Sequence, residues 1–394
     1  MKEGWKIVKL GEVCDFEGGS QPPKSEWTKE PCEGYVRMLQ IRDFTQSRKA
    51  DVEYVKISKK LRLCKANDIL IGRYGASVGK ILTGLEGAYN VAIIKSIPDE
   101  TRIIKSYIRR FFEAPNFQSL LFKVCTQRAA QAGFSKEDIV DTEFSLPPLE
   151  EQHRIVSILD ASFEKIDALK KNAEENLKNA KALFQQVLAQ ELKPKEGWVK
   201  KKLGEVCNNI SYGTSLPSSE NGIYKYLRMN NITLDGTLDL NNLKYITVPD
   251  KELAKCMVEK GDLLFNRTNS HELVGKSCVF ENDEKMVIAG YIIRIRLNKE
   301  IAPKFANYYI NLQRRLGYLK PLIVGAVHQA NISAKSIQTI NFVYPTLEEQ
   351  HRIVRTLDTL SEKCRRLEQI AQQTIRECDA LKQSILRQVF SGEL

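Results

Sequence analysis

The side chains that could do chemistry in this sequence fall into three groups: two Pro-Pro turns, a Gly-Lys-Ser stretch, and two histidines beside carboxylates. An enzyme that alkylates the exocyclic amine of a flipped base needs Asn/Asp-Pro-Pro-aromatic to grip that base. Here Pro22-Pro23 lies between Gln21 and Lys24, and Pro147-Pro148 between Leu146 and Leu149, so neither pair fits. Leu273-Val274-Gly275-Lys276-Ser277 approaches a phosphate-binding loop, but the earlier glycine would fall at Ser270, and Gly79-Lys80-Ile81 in the first half lacks the hydroxyl. A turn within a β-domain is the better reading. No G-x-G-x-x-G stretch for a nucleotide cofactor is found. His153 and His351 have no second His or Cys at ligand spacing, which predicts helix-surface histidines and no metal site. The nine cysteines form no C-x-x-C pair, as expected of free thiols in a reducing compartment. No catalytic residue emerges.

What remains is the chemistry of recognition. The formal net charge is +11, and it is spread evenly: residues 1–200 carry 33 basic and 28 acidic side chains, residues 201–394 carry 27 and 21. Such a balance favours a polyanion touched by both halves, nucleic acid ahead of membrane. Reading a base edge takes Arg, Lys, Asn or Gln on a loop. The first half offers Gln21 and Lys24, then Arg73-Tyr74, then Arg128 and Gln131. The second half offers Tyr212, then Arg267-Thr268-Asn269 with His271, then His328, Gln329 and Asn331. Ser135 and Ser333, just beyond the third pair of loops, are expected to cap short helices. Arg73 and Arg267 share a repeat position and suit a backbone role common to both halves. Tyr74 against Thr268 differs, which suits sequence-specific contacts.

The elements that position these residues are duplicated. Lys2-Glu-Gly-Trp5 and Leu10-Gly-Glu-Val-Cys14 return as Lys195-Glu-Gly-Trp198 and Leu203-Gly-Glu-Val-Cys207. Tyr35-Val-Arg-Met38 returns as Tyr226-Leu-Arg-Met229, and Leu149-Glu-Glu-Gln-His-Arg-Ile-Val156 as Leu347-Glu-Glu-Gln-His-Arg-Ile-Val354. Each repeat has a β-rich part with turn chemistry, including strands over 34–41 and 68–74 and helical spacing over 102–122 and 301–319. Each then has an apolar seam at steps of three and four: Ile155, Leu159, Phe163, Ile166, Leu169, Ala173 in one, Ile353, Leu357, Leu360, Cys364, Leu367, Ala371, Cys378, Leu381 in the other. Prolines before the first turn and the pairs Glu150-Glu151 and Glu348-Glu349 mark the helix starts. A lone helix of roughly 60 Å cannot bury its seam, but two copies can bury theirs on each other. The fold class is therefore α+β. Two β-rich mixed domains, 1–146 and 195–344, are joined by helices at 147–194 and 345–394 that form an antiparallel coiled coil, a pseudo-twofold tandem repeat. Two basic heads on a rod would meet B-DNA on one face, about one to two turns apart.

The chain resembles the specificity subunit of a Type I restriction–modification system over essentially its whole length. Leu146-Pro-Pro-Leu-Glu-Glu-Gln-His-Arg-Ile-Val156 and Tyr344-Pro-Thr-Leu-Glu-Glu-Gln-His-Arg-Ile-Val354 carry the resemblance, with Trp-x(4)-Leu-Gly-Glu opening each repeat and the Asp-Ile-Leu-x-x-Arg73 and Asp-Leu-Leu-x-x-Arg267 segments. The resemblance implies two target recognition domains, each reading one half of a bipartite, asymmetric double-stranded DNA sequence. It implies a coiled coil that sets the unread gap and docks two modification subunits, which methylate adenine at N6. Restriction subunits that translocate and cut would join them. The chain itself would have no catalysis and no cofactor, S-adenosylmethionine, Mg2+ and ATP belonging to the partners. By the same resemblance, Glu151, His153, Arg154, Glu349, His351 and Arg352 at the exposed, polar helix starts lie where a modification subunit docks. A coiled-coil protein whose ends bind other proteins, and a fused single-chain enzyme, are the competing readings. No run of apolar residues is long enough to cross a bilayer, and Met1–Trp5 lacks a signal-peptide core, so a cytoplasmic location is expected.

Overall fold

The computed structural model describes residues 4–46, 51–127, 133–326 and 329–391 as a mixed α+β fold. The tandem repeat forms two units, Met1–Glu174 with Ala371–Leu394, and Glu175–Ile370. In each, the Trp-containing opening leads into a strand that pairs with the last strand before the long helix: Lys6–Lys9 with Glu143–Leu146, and Val199–Lys202 with Asn341–Tyr344. Both pairs are antiparallel, so the two ends of each β-rich part are tied together.

The first unit continues with a four-stranded antiparallel sheet in the order Cys14–Gly18, Ile93–Pro98, Ile69–Gly72, Ile81–Leu82. The second repeats it as Cys207–Tyr212, Ile292–Leu297, Leu263–Asn266, Ser277–Val279. A second sheet in each contains one parallel pair, Tyr35–Leu39 beside Gly87–Tyr89 and Tyr224–Leu227 beside Met286–Ile288. Strand Ile69–Gly72 is buried along its length, as is Leu263–Asn266. Alternate residues of these strands enter separate cores, Ile69 and Ile71 on one side and Leu70 on the other. The helical spacing over 102–122 is met by two helices, because Pro115 lacks the N–H that would continue Lys105–Glu113; a second helix, Pro115–Gln127, starts there.

The long helices run Leu149–Glu191 and Leu347–Ser391. Within the first unit they are antiparallel: Lys170 Nζ lies 2.6 Å from Asp379 Oδ1 and Lys382 Nζ 2.5 Å from Asp167 Oδ1. Ile155, Leu159, Phe163 and Ile166 share its core with Cys378, Leu386, Val389 and Phe390. The Phe390 ring lies 5.2 Å from Tyr107 and 5.5 Å from Phe111, and its burial contributes roughly 2–3 kcal/mol. The second unit is built likewise: Leu188 and Leu192 join Ile353 and Leu357 in one core, and Arg352 Nη2 meets Glu191 Oε2 at 2.7 Å.

The expected seam needs one correction. Leu169, Leu367 and Leu381 are about half exposed, at 54, 52 and 50%. The buried positions near them are small, Ala173, Ala371 and Cys378. Small side chains let two helices approach closely, and a leucine one step off the contact line is then left outside.

Candidate nucleic-acid interface

The loops that carry the candidate residues are anchored at the same backbone positions in both units. Gly19 N donates to Ile93 O at 3.0 Å and Gly213 N to Ile292 O at 3.1 Å. Both are glycines because the chains touch there: a Cβ on Gly19 would stand 2.1 Å from Asn90 O, and one on Gly213 2.2 Å from Ala289 O. Arg73 N donates to Ala92 O and Arg73 O accepts from Phe134 N; Arg267 N donates to Tyr291 O and Arg267 O accepts from Ile332 N. The two arginines therefore leave the sheet from a backbone fixed on both sides.

Their side chains are supported differently. The Arg73 guanidinium carbon lies 5.2 Å from the centre of the Tyr74 ring, with Nε donating to Phe134 O at 3.1 Å. Arg267 lies 4.9 Å from the ring of Tyr212, which ends the strand on the far side of Ile292–Leu297. In repeat register Tyr74 corresponds to Thr268 and Gly18 to Tyr212, so the aromatic has changed strands. A Cβ on Gly18 would stand 3.1 Å from Arg73 Nη1, so this position in the first unit is filled by the arginine itself.

The second unit has a cleft of about 580 Å³ at the end of these strands. Arg267, Thr268, Gln329 and Asn331 line it, together with Arg228, Asn230 and Tyr291, and no carboxylate is among the described lining residues. Arg228 Nη2 donates to Asn242 O at 3.0 Å, and Asn242 takes φ 54° to present that carbonyl. Thr268 is buried and its hydroxyl donates to Asn331 Oδ1 at 2.6 Å. Gln329 is exposed on the hairpin Val324–Ala326, Gln329–Asn331. Tyr212 stands behind Arg267 without lining the cleft. Asn269 turns its Oδ1 to Ser270 N at 2.9 Å, and His271 is exposed in the following turn, outside the lining set.

Arg228, Asn230 and Tyr291 were missed by the sequence reading. A signal existed for the first: it is the Arg of the Tyr-x-Arg-Met repeat. Its counterpart Arg37 donates instead to the buried Asp43 at 2.7 Å.

In the first unit Gln21 is exposed two residues beyond Gly19. Lys24 is exposed too, but already engaged: its Nζ lies 3.8 Å over the Trp27 ring and 3.3 Å from Glu53 Oε1. Arg128 and Gln131 lie outside the described residues, as does His328. Ser333 caps Ala334–Gln338 through Ser336 N, at 3.0 Å. Ser135 is the N-cap of Lys136–Asp138 in a capping box with Asp138, its hydroxyl and N–H both donating to Asp138 Oδ2, at 2.9 and 2.6 Å.

The helix starts are less exposed than their sequence suggests. Gln152 and Gln350 are fully buried. Gln152 Nε2 donates to Arg102 O and Pro147 O, both at 2.9 Å, and its Oε1 accepts from Ile104 N at 2.9 Å. Gln350 makes the same three bonds to Glu300 O, Pro345 O and Ala302 N, at 2.9, 2.9 and 2.8 Å. Each glutamine locks a long helix to the β-rich part, because three backbone groups at a buried junction have no other partner. Around them His153 and His351 are exposed. Arg154 pairs with Glu151 at 2.6 Å, and Arg352 with Glu349 at 2.7 Å. The Arg352 guanidinium holds the Glu349 carboxyl below the usual range, and Glu349 with Glu191 raises Arg352 further.

Two alternatives to this interface fail on chemistry. Another cavity of the second unit, about 690 Å³, is lined by Asp235, Glu281, Asp358 and Glu362 against Lys304 and Arg365, a poor host for a polyanion. Lys276, of the Gly-Lys-Ser stretch, is buried with its Nζ donating to Ile232 O at 2.6 Å, so it is turned away from any phosphate. Among the described residues no group of three His, Cys, Asp or Glu could hold a metal ion, and no helix is long and apolar enough to cross a membrane.

The family described as "Type I restriction modification DNA specificity domain" matches residues 2–179 and 195–377, both repeats. The chain belongs to this family. Similar specificity-family proteins include the Type I restriction enzyme EcoKI specificity subunit of Escherichia coli (strain K12), 23% identical and aligned over 100% of this chain and 90% of its own. The MjaVIII specificity subunit of Methanocaldococcus jannaschii is 23% identical over 100% of this chain and 93% of its own. The fold is shared with the HsdS subunit of Thermoanaerobacter tengcongensis, at TM-score 0.57 and 21% identity over 100% and 98% of the two chains. It is shared more closely with a chain from work on complex assembly and conformational transition of the type I R-M system, at TM-score 0.77 and 20% identity over 98% of each. A specificity-family role accounts for a chain built from two anchored loop clusters and two helices.

Proposed function

We propose that this specificity-family chain is the non-catalytic DNA-reading part of a methyltransferase–endonuclease assembly, its two β-rich heads reading the unlike halves of a bipartite, asymmetric target. The carboxylate-free cleft of the second unit carries this reading. It brings Arg228, Arg267, Gln329 and Asn331, the side-chain types that pair with base edges and phosphates, to one concave surface. Unlike half-sites follow from unlike readers: Tyr74 and Gly133 of the first head stand where the second has Thr268 and Asn331.

The long helices set the gap and dock two modification subunits; S-adenosylmethionine, Mg2+ and ATP are bound by the partners, and restriction subunits join the same assembly. Two features support docking on the helices. The exposed leucines fall at repeat-equivalent positions, Leu169 with Leu367 and Leu183 with Leu381, giving each unit one from each helix. The polar set Glu151, His153, Arg154 and its repeat Glu349, His351, Arg352 lies on the outward side of the buried glutamines. The test is co-expression with the modification subunit encoded beside this chain, followed by mapping of methylated adenines across the host genome. One motif with two unlike halves and a constant gap is expected. A stable complex that leaves no motif, or one whose methylation ignores sequence, overturns the reading.

A further inference from the structure

The inference rests on the reading of the second head as a DNA-reading domain, and concerns which hydrogen-bonding groups it offers. Thr268 and Asn331 face each other across the antiparallel pair Thr268–Asn269 and Gln329–Asn331. Thr268 is 7% exposed, its β-branched side chain has little rotational freedom, and its hydroxyl donates to Asn331 Oδ1 at 2.6 Å. That bond occupies one of the two lone pairs of the amide oxygen and sets which way the amide faces. Asn331 lines the cleft, and its Nδ2 makes no hydrogen bond among the described residues. An asparagine is ordinarily ambidextrous, donor on one side and acceptor on the other. Here Oδ1 is held by Thr268, and Nδ2 is left to meet a ligand.

We infer that Asn331 is a specificity-determining residue that presents donors only, with Thr268 as the positioning residue that fixes its polarity. In the major groove the acceptors are purine N7, guanine O6 and thymine O4, whereas cytosine shows only its N4 amino donor. One position of the half-site read by this head therefore excludes cytosine. The neighbouring Gln329, exposed and with no side-chain hydrogen bond among the described residues, carries no such restriction. Scaffolding alone does not explain the pair, because the first head dispenses with it. There Tyr74 bridges to Gly133, and a Cβ on Gly133 would stand 2.3 Å from the Tyr74 ring, leaving no room for an amide.

The experiment is methylated-adenine mapping of the complex with its modification subunit, on a plasmid library randomised in the second half-site. Asn331→Asp keeps the bond from Thr268 but puts an acceptor where the donor was; cytosine should then become accepted at one position, with preference over guanine or thymine of about tenfold. Thr268→Val frees the amide to turn, and cytosine should be tolerated beside the original bases; Thr268→Ser should keep the original motif. Asn331→Ala, which adds no charge, should admit all four bases at that position. The first half-site stays unchanged in every variant and reports an intact complex. An unchanged second half-site in Asn331→Asp and Thr268→Val overturns the inference. So does loss of all methylation in Asn331→Asp, Asn331→Ala and Thr268→Val alike, which would assign the pair to the scaffold. A wild-type complex without any motif would instead overturn the reading of the heads.

Discussion

The guanidinium of Arg267 lies over the ring of Tyr212, 4.9 Å from its centre, and the Tyr212 hydroxyl accepts from Ala334 N at 2.9 Å. One aromatic side chain thus supports the arginine on its face and a helix start on its edge. An arginine stacked on a ring loses less freedom on meeting an anion than one waving in water. Replacing Tyr212 with Ala is expected to weaken DNA binding by the assembled complex roughly five- to thirtyfold, from about 1–2 kcal/mol of cation–π support. Tyr212→Phe keeps the ring and should stay within about threefold of the parent, near the net value of a single hydrogen bond. Fluorescence anisotropy on a duplex carrying the target reads both, and equal losses in the two variants would show that the ring face does not matter.

Gln350→Ala leaves Ala302 N, Glu300 O and Pro345 O buried without partners. The expected cost is about 2–4 kcal/mol, at roughly 1–3 kcal/mol for each buried group that water fails to reach. Amide exchange measured by mass spectrometry should show lost protection at Ala302 and along the start of the helix Leu347–Ser391. Gln152→Ala should do the same at Ile104. Protection that survives both changes would remove the glutamines from their role as locks.

Gly213→Ala should both destabilise the second unit and weaken DNA binding. Its methyl group would stand 2.2 Å from Ala289 O, so two backbone segments must separate. Overpacking of this kind costs about 1–3 kcal/mol, which for a unit of this size is a fall in melting temperature of roughly 3–10 °C. A melting curve that coincides with the parent's would mean that the loop moves aside freely.

The cysteines give a test across pH. Burial pushes the thiols of Cys14, Cys207 and Cys278 up to about 12 and that of Cys64 to about 11, whereas Cys32 is exposed. Only a thiolate reacts with iodoacetamide. At pH 8 the native protein should be labelled at Cys32 well before these four, which should react only on unfolding. Because their folded values lie above the unfolded 9.0, the stabilisation is complete below pH 9 and fades as pH rises from 9 towards 12. Peptide mapping after brief alkylation at pH 8 and pH 10 decides this. Early labelling of Cys278 would show an open core.

The repeat, the helix boundaries and most of the seam were legible because each leaves a one-dimensional trace: a recurring word, a proline, or a step of three or four. What escaped depends on the third dimension. Gln152 and Gln350 read as surface residues because a polar side chain in a charged run is usually solvated; only the folded junction shows three backbone groups waiting for one amide. Leu169, Leu367 and Leu381 read as core because spacing counts turns and does not see that Ala173, Ala371 and Cys378 hold the buried positions beside them. In the interface, Arg267, Thr268, Gln329 and Asn331 were recognisable as polar loop residues beside a strand end. Arg228 and Asn230 are about forty residues away in sequence, and reach the same cleft only through the parallel pairing of Tyr224–Leu227 with Met286–Ile288.

The first unit takes its final helical segment, residues 371–391, from beyond the whole of the second. On a translating ribosome, residues 175–370 are therefore synthesised before Phe390 exists to cover Tyr107 and Phe111. The half that is made first is the half that closes last. Until synthesis reaches that segment, its aromatic core stays open to chaperones and proteases, so a premature stop near residue 370 would spare the later-made unit and condemn the earlier one.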